Sequence, residues 1–222
     1  MRALVIDYSQ PLAASSVELD QLDPKSRQII EAARQCFADL GFEETTMVQI
    51  AEGAGVGVAT VYRRFGTKAA IVRYALMAEG LRVSTILLDA MERSSGPVSG
   101  LAEMFAAFVE EASRPHLLTR SLRHSSAAGE MVDFMSDDTF LSRGRAMVAH
   151  YIKYWQDRGE LGDFDAEVVA EIFVRLEMSF ITNPRGVIPL RDGDSARAFA
   201  HQFLSPLLFP HLRPRTTPAD GR

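Results

Sequence analysis

The chain has 222 residues, of which 47% are hydrophobic and 24% are charged, and its formal net charge is −5. This length allows one or two domains with a sizeable core, and the acidic balance excludes a chain that is basic throughout. No apolar run reaches the roughly 18 residues of a membrane span, and no basic start with an apolar core marks a signal peptide, so we expect a cytoplasmic protein.

The first helix is predicted to begin at Asp23-Pro24, because Asp is a favourable N-cap and Pro suits the first helical position. Residues 1–22 show no sustained period and are interpreted as a flexible N-terminal arm. Gly41 is expected to end the helix. Cys36, the single cysteine, lies on its apolar face and is interpreted as a small buried hydrophobe. That face carries Ile29, Ile30, Ala33, Cys36, Phe37 and Leu40.

Residues 46–65 have the pattern of a helix-turn-helix. Thr46 and Gln49 have the spacing of a capping box, and Gly55 stands where the chain must turn sharply. In the second helix Val61 and Phe65 point inward at i, i+4. The other face is small, hydroxylated and basic, which suits a DNA major groove. An ordinary surface hairpin is the alternative. The exposed face comprises Val58, Ala59, Thr60, Tyr62, Arg63 and Arg64.

The charge distribution favours DNA over the alternative. Residues 53–78, the acid-free window, contain no Asp or Glu but carry Arg63, Arg64, Lys68 and Arg73. This local positive patch coincides with the helix-turn-helix. Thr67 is predicted to cap a long helix over residues 67–91, about 36 Å in length. Lys68 in its first turn opposes the helix dipole and indicates a nearby anion such as a phosphate.

The remainder of the chain is also predicted to be helical, which gives an all-α fold of about nine helices. We expect a helix-turn-helix DNA-binding domain over residues 23–68, the head. A helical effector-binding and dimerisation domain, the body, follows over residues 69–209, and residues 210–222 form a flexible tail. The helices near 166–182 and 194–208 are apolar on more than one face, so we expect them to form an antiparallel pair and a homodimer interface. Pro206 should kink or shorten the second of them.

Residues 46–71 resemble the DNA-binding head of the TetR family of bacterial transcriptional regulators. The motif residues are Ile50-Ala51, Ala54-Gly55-Val56, Thr60-Val61-Tyr62, Phe65 and Lys68. The resemblance implies an all-helical homodimer that binds a palindromic operator and is released from it by a small effector. By position it implies DNA contacts for Thr46, Thr60, Tyr62 and Lys68. Gly57 and Ala59 depart from the pattern, and Gly57 lacks the hydroxyl that caps the recognition helix.

A methionine-rich and aromatic surface in the body is the candidate effector site, and it would suit a largely apolar ligand. Ordinary core packing is the alternative for each of these residues. The histidines have no metal-site spacing, so neither a metal nor a cofactor is expected. The candidate ligand-binding residues are Met104, Phe105, Phe108, His116, Arg120, Met131, Phe134, Met147, Tyr151 and Trp155.

The residues therefore favour a ligand-responsive DNA-binding regulator, most simply a repressor, that is not an enzyme. Two other classes stay open: a helical enzyme with a lipid-like substrate, and a helical interaction module without a ligand. No nucleophile elbow, phosphate loop or zinc-protease motif supports the enzyme.

Overall fold

A computed structural model describes residues 19–114, 139–182, 186–188, 190 and 192–209. Within these ranges the chain forms eight α-helices and no strand, which confirms the all-α prediction. The helices are α1 (Pro24–Leu40), α2 (Met47–Gly53), α3 (Val58–Phe65), α4 (Lys68–Glu92), α5 (Pro97–Ser113), α6 (Thr139–Gln156), α7 (Ala166–Thr182) and α8 (Gly193–Phe199).

Helix α1 begins and ends at the predicted residues. The Asp23 carboxylate accepts hydrogen bonds from the amides of Lys25 at 3.0 Å and Ser26 at 3.3 Å. Pro24 follows at the start of the helix, where its missing amide costs no hydrogen bond. At the other end Gly41 has a φ of 92°, a conformation that favours glycine, and its amide donates to the Phe37 carbonyl.

A small hydrophobic core holds the head together. It joins α1, α2, α3 and the first turns of α4, and at its centre Ile29, Phe37, Ile50, Val61 and Ile71 are fully buried. Cys36 is half-buried and borders this core, so the interpretation as a small hydrophobe is met only in part. Burial, with a smaller effect of the Asp39 charge, raises the pKa of the Cys36 thiol and keeps it protonated.

Helix α4 connects the head to the body. The Thr67 hydroxyl accepts a hydrogen bond from the Ala70 amide at 3.2 Å, so the predicted cap is confirmed. The helix has 25 residues, which corresponds to a length of about 37 Å. Leu76 is buried in the head core and Met91 in a second, larger core, while Val83 packs against both. The continuous helix α4 therefore contributes side chains to both cores.

The larger core fills the body. The second half of α4 packs on α5, α6 packs on α7, and α8 packs on α5. The terminal helices α7 and α8 meet through the rings of Phe180 and Phe199, whose centroids lie 6.0 Å apart. They do not form the simple antiparallel pair that we expected, because α6 and α5 respectively are their main packing partners. Among the helices that the structure describes, none is long and apolar enough to cross a membrane.

The last helix begins earlier than residue 194 and does not remain α-helical. Asp192 is its N-cap: its carboxylate accepts from the Ser195 amide at 2.8 Å, and the Ser195 hydroxyl accepts from the Asp192 amide at 3.1 Å. After Phe199 the backbone widens into a π-helical turn, Ala200–Leu204, and then tightens into a 3₁₀ turn, Ser205–Leu208. Pro206 lacks an amide for an α-helical hydrogen bond, which agrees with the predicted disruption.

Candidate DNA-binding face and effector pocket

Local signals position the two helices of the helix-turn-helix. The predicted capping box is present: the Thr46 amide donates to the Gln49 side chain at 2.8 Å, and the Gln49 amide donates to the Thr46 hydroxyl at 3.2 Å. Gly55 turns the chain with a φ of 60°. Helix α3 then begins after Gly57, which has no side chain to bond the free amides of the first turn.

Helix α3 presents a small and basic face to solvent. Val61 is fully buried and Phe65 half-buried, so the remaining side chains point away from the head core. Tyr62 is the most exposed aromatic residue there, at 53%. Among the residues predicted to contact DNA, Thr60 and Lys68 are half-buried, and the exposed ones are Thr46, Val58, Ala59, Tyr62, Arg63 and Arg64.

Lys68 already has partners in the structure. Its ammonium donates hydrogen bonds to the carbonyls of Phe42 at 2.7 Å, Thr45 at 3.1 Å and Glu43 at 3.3 Å. The partial negative charges of these carbonyl oxygens stabilise the Lys68 cation at the N-terminus of α4, where we expected a phosphate to do so. Lys68 therefore anchors the loop that precedes α2, and a phosphate contact would require it to share or release one of these bonds.

Arg64 is also fixed within the head. Its guanidinium pairs with the Asp23 carboxylate and donates to the Ser26 hydroxyl at 2.9 Å, which ties α3 to the start of α1. A hydrogen bond from the Ser26 side chain, assisted by Arg64, lowers the pKa of Asp23. Asp23 thus offsets part of the positive charge of the acid-free window. Arg63 is exposed on the same helix.

The body contains a cavity of about 70 Å³ between α4, α5, α6 and α7. Its wall is predominantly apolar, and Gly80 and Gly144 leave room by having no side chain. Of the candidate ligand-binding residues that the structure describes, only Phe108 and Met147 line it. Its lining comprises Leu76, Met77, Gly80, Leu81, Val83, Ser84, Leu87, Phe108, Arg143, Gly144, Met147, Val148, Val174, Glu177 and Met178.

Four other candidate ligand-binding residues belong to the packed core. Met104 and Phe105 are fully buried, and the Phe105 ring stacks on Phe199 with centroids 5.8 Å apart. The Tyr151 hydroxyl donates to the Gly96 carbonyl at 3.2 Å, and Trp155 packs edge-on against Tyr151. These side chains fill the space between helices and do not line this cavity; their role in ligand binding stays a prediction. His116, Arg120, Met131 and Phe134 lie outside the described residues.

Glu177 is the unusual residue of the cavity wall. Its side chain belongs to α7 and is 5% exposed, and its Oε1 atom has no hydrogen-bond partner among the residues that the structure describes. Burial raises the pKa of this carboxyl to about 8. The sequence carried a signal that we did not use: Glu177 lies four residues after Phe173 and three before Phe180, at helical spacing from two apolar positions.

A buried cluster of ion pairs, the junction cluster of Arg34, Glu79, Arg82 and Glu111, connects the head to the body. Glu79, 2% exposed on α4, accepts from Arg34 of α1 at 3.1 Å and from Arg82 at 2.8 Å. Arg82 also donates to Glu111 of α5 at 2.8 Å. Burial raises the pKa of Glu79, but the hydrogen bonds and charges of the two arginines outweigh it and leave that pKa below its ordinary value.

The junction cluster joins charged side chains of α1, α4 and α5. It lies next to the cavity, since Gly80 and Leu81, which follow Glu79 directly in α4, line the cavity wall. The described residues contain no group of three His, Cys, Asp or Glu side chains that could hold a metal ion.

Comparison with known proteins gives concordant matches. Residues 29–75 match the model of the bacterial regulatory proteins of the tetR family. The HTH-type transcriptional regulator YvkB of Bacillus subtilis is 23% identical over 155 residues, which cover 69% of this chain and 79% of that protein. The HTH-type transcriptional repressor Rv1474c of Mycobacterium tuberculosis is 29% identical over 91 residues, covering 41% of this chain and 46% of the repressor.

The fold is similar to that of the transcriptional regulator FadR from Bacillus subtilis, whose crystal structure contains stearoyl-CoA. The TM-score is 0.55 at 17% sequence identity, and the alignment covers 82% of this chain and 97% of that one.

Proposed function

Because residues 29–75 place the chain in the TetR family of bacterial transcriptional regulators, we propose that it is a repressor that a small effector releases from a palindromic operator. The chain is a DNA-binding transcriptional regulator and not an enzyme. The observation that carries the proposal is the exposed face of α3, held by the buried Val61 and free of acids.

The composition of this face supports insertion into the major groove. Val58, Ala59 and Thr60 are short enough to let the helix approach base edges closely, and methyl and hydroxyl groups can contact thymine methyls or base acceptors. Tyr62 and Arg63 extend from the same helix and can reach phosphates. Thr46, at the start of α2, would add a phosphate contact. Arg64 and Lys68 would contribute mainly by holding the helices in place, since both have partners within the head.

A homodimer would supply two such heads. Val168 and Ile172, one turn apart on α7, are 56% and 40% exposed, and Phe203 near the end of the last helix is 56% exposed. Large apolar side chains that are exposed on the terminal helices favour burial against a second copy. A twofold axis through these helices would present both recognition helices to one face of the DNA, about 34 Å apart.

The cavity would be the effector site, and α4 would transmit its occupancy. Leu76, Gly80 and Val83 of α4 line the cavity, so an effector that binds there can shift this helix. Because α4 forms one wall and also belongs to the head core, such a movement would change the position of the head. An effector that favours the displaced state by about 1 to 3 kcal/mol would weaken operator binding about 5- to 150-fold.

A gel-shift titration on DNA from beside the gene tests this function. Tyr62→Ala should weaken binding at least about tenfold and Arg63→Ala should reduce its salt dependence, because each removes a group from the α3 face. The matched control is Arg93→Ala. Arg93 follows the last residue of α4 and its side chain is 75% exposed, so this variant should bind DNA with the affinity of the wild type. Equal affinities for all four proteins would contradict the assignment of this face.

A further inference from the structure

The wall of the cavity contains a deeply buried carboxyl group that an entirely apolar ligand would leave unused. Glu177 projects from α7 into a wall built from Leu76, Val83, Phe108, Met147 and similar side chains. It has no ion pair or hydrogen bond within the described part of the chain, and its Oε1 atom is inaccessible to solvent. An isolated buried carboxyl costs folding free energy in either protonation state, because one or more of its polar atoms lacks a partner.

We propose that the cavity binds an amphipathic amine, an apolar chain that carries a protonated amino group, and that Glu177 is its counter-charge. Only the expected effect of the amine on operator binding rests on the proposed effector site. The binding of the amine to the cavity is a separate property. An ammonium N–H would supply both the missing hydrogen bond and the opposite charge, and such charge-assisted bonds are about twice as strong as neutral ones.

An anionic ligand fits this cavity less well. A fatty-acid carboxylate would bring a second carboxyl beside Glu177, and two carboxylates in an apolar site repel each other. Arg143 also lines the cavity, but it is half-exposed and has an interaction of its own. Among the cavity's described lining, Glu177 and Arg143 are the charged residues, so the buried Glu177 determines which charge is favourable deep in the cavity.

The protonation of Glu177 supports the same conclusion. With a pKa of about 8, the carboxyl is mainly neutral at pH 7 while the cavity is empty. An incoming ammonium favours the ionised form and lowers this pKa. Binding at pH 7 should therefore release a proton from the carboxyl to the solvent, and the ligand keeps its own.

Isothermal titration of the full-length protein at pH 7 tests the inference with three probes of equal chain length: octylamine, octan-1-ol and octanoate. Octylamine should bind at least about tenfold more tightly than the other two. In Glu177→Gln its affinity should fall to that of octan-1-ol, while the affinity for octan-1-ol itself should not change. The control is Glu110→Gln, an exposed residue of α5 outside this cavity, which should bind octylamine like the wild type.

A second measurement needs only the wild-type protein. Titrations of octylamine in buffers with different ionisation enthalpies should give a release of nearly one proton per ligand at pH 7, and octan-1-ol should release none. Equal binding of the three probes, an unchanged octylamine affinity in Glu177→Gln, or no proton release would each overturn the inference. If octylamine binds as expected but a gel shift shows unchanged operator affinity, Glu177 recognition stands and the effector role of the cavity fails.

Discussion

Single residues decide how firmly the recognition helix is held. Gly57 is the N-cap of α3, with a φ of −70° that any residue can adopt, and a Cβ atom added there would meet no heavy atom within 4 Å. The position therefore tolerates a side chain that could accept a hydrogen bond from the first turn of α3. Gly55, two residues earlier, has equally open surroundings but a φ of 60°. That conformation penalises any side chain.

We predict that Gly57→Ser stabilises the head by about 0.5 to 1 kcal/mol, because the new hydroxyl satisfies a free amide of α3 and because serine has less conformational freedom than glycine in the unfolded chain. Gly55→Ser is the matched control and should destabilise the head by about 1 kcal/mol, since serine must adopt the left-handed conformation. Urea unfolding of the two variants and the wild type measures both changes. If both substitutions shift the urea midpoint in the same direction, the different φ angles of Gly55 and Gly57 do not determine the change in stability.

At the scale of helices, the junction cluster is the main polar link between head and body. Glu79 is buried between arginines from α1 and α4, whereas Asp89 near the end of α4 and Arg93 directly after this helix form a solvent-exposed pair at 3.8 Å. Removing one partner from a buried cluster leaves the other charges without compensation, while an exposed pair contributes little.

We predict that Glu79→Gln lowers the free energy of unfolding by about 2 kcal/mol at pH 7 and that Asp89→Asn changes it by less than about 0.5 kcal/mol. Because the folded-state pKa of Glu79 is lowered, its contribution is present above the ordinary carboxyl pKa and is lost as pH falls through the folded-state value. Chemical unfolding at pH 7 and at about pH 3.5 should show the difference between wild type and Glu79→Gln shrinking at the lower pH. A difference that does not depend on pH would mean that the carboxylate charge is not the cause.

The helices differ in how far local sequence determines them. The N-caps at Asp23, Thr46 and Thr67 and the turn at Gly55 were predictable, because each depends on bonds between residues close in the chain. The cavity was not predictable from the sequence. A helical period shows that a side chain is buried, but it does not show whether that side chain faces another side chain or a void. Phe105 and Phe108 have the same residue type on one helix, yet only Phe108 reaches the cavity.

The same limit applies to polar contacts between distant segments. Lys68 was expected to need an anion, and it meets three carbonyls that belong to residues 42–45. These groups are far apart in the sequence, so only the packed head brings them together. Glu79 and Arg34 illustrate the point further, because neither position has a local signal of pairing across 45 residues.

At the scale of the whole molecule, the proposed function requires two chains. We predict that Ile172→Glu, which places a charge on the exposed apolar face of α7, converts the dimer to a monomer and weakens operator binding at least about a hundredfold. Leu40→Glu is the control: Leu40 on α1 is 41% exposed and Ile172 is 40% exposed, so the two substitutions are equally tolerable in a monomer. Sedimentation velocity and gel shifts measure the two effects. A dimeric Ile172→Glu protein would show that another surface forms the interface.

Helix α4 has a geometric consequence for such a dimer. Its last turns are anchored in the body, where Met91 is fully buried, and its first turn carries the head about 35 Å away. A rotation of about 5° around the anchored end moves the head by about 3 Å, and the twofold axis doubles the change in separation to about 6 Å when both heads move outward. Successive major grooves on one side of B-DNA repeat every 34 to about 36 Å, so a displacement smaller than one side chain at the cavity is sufficient to put the two recognition helices out of phase with the double helix.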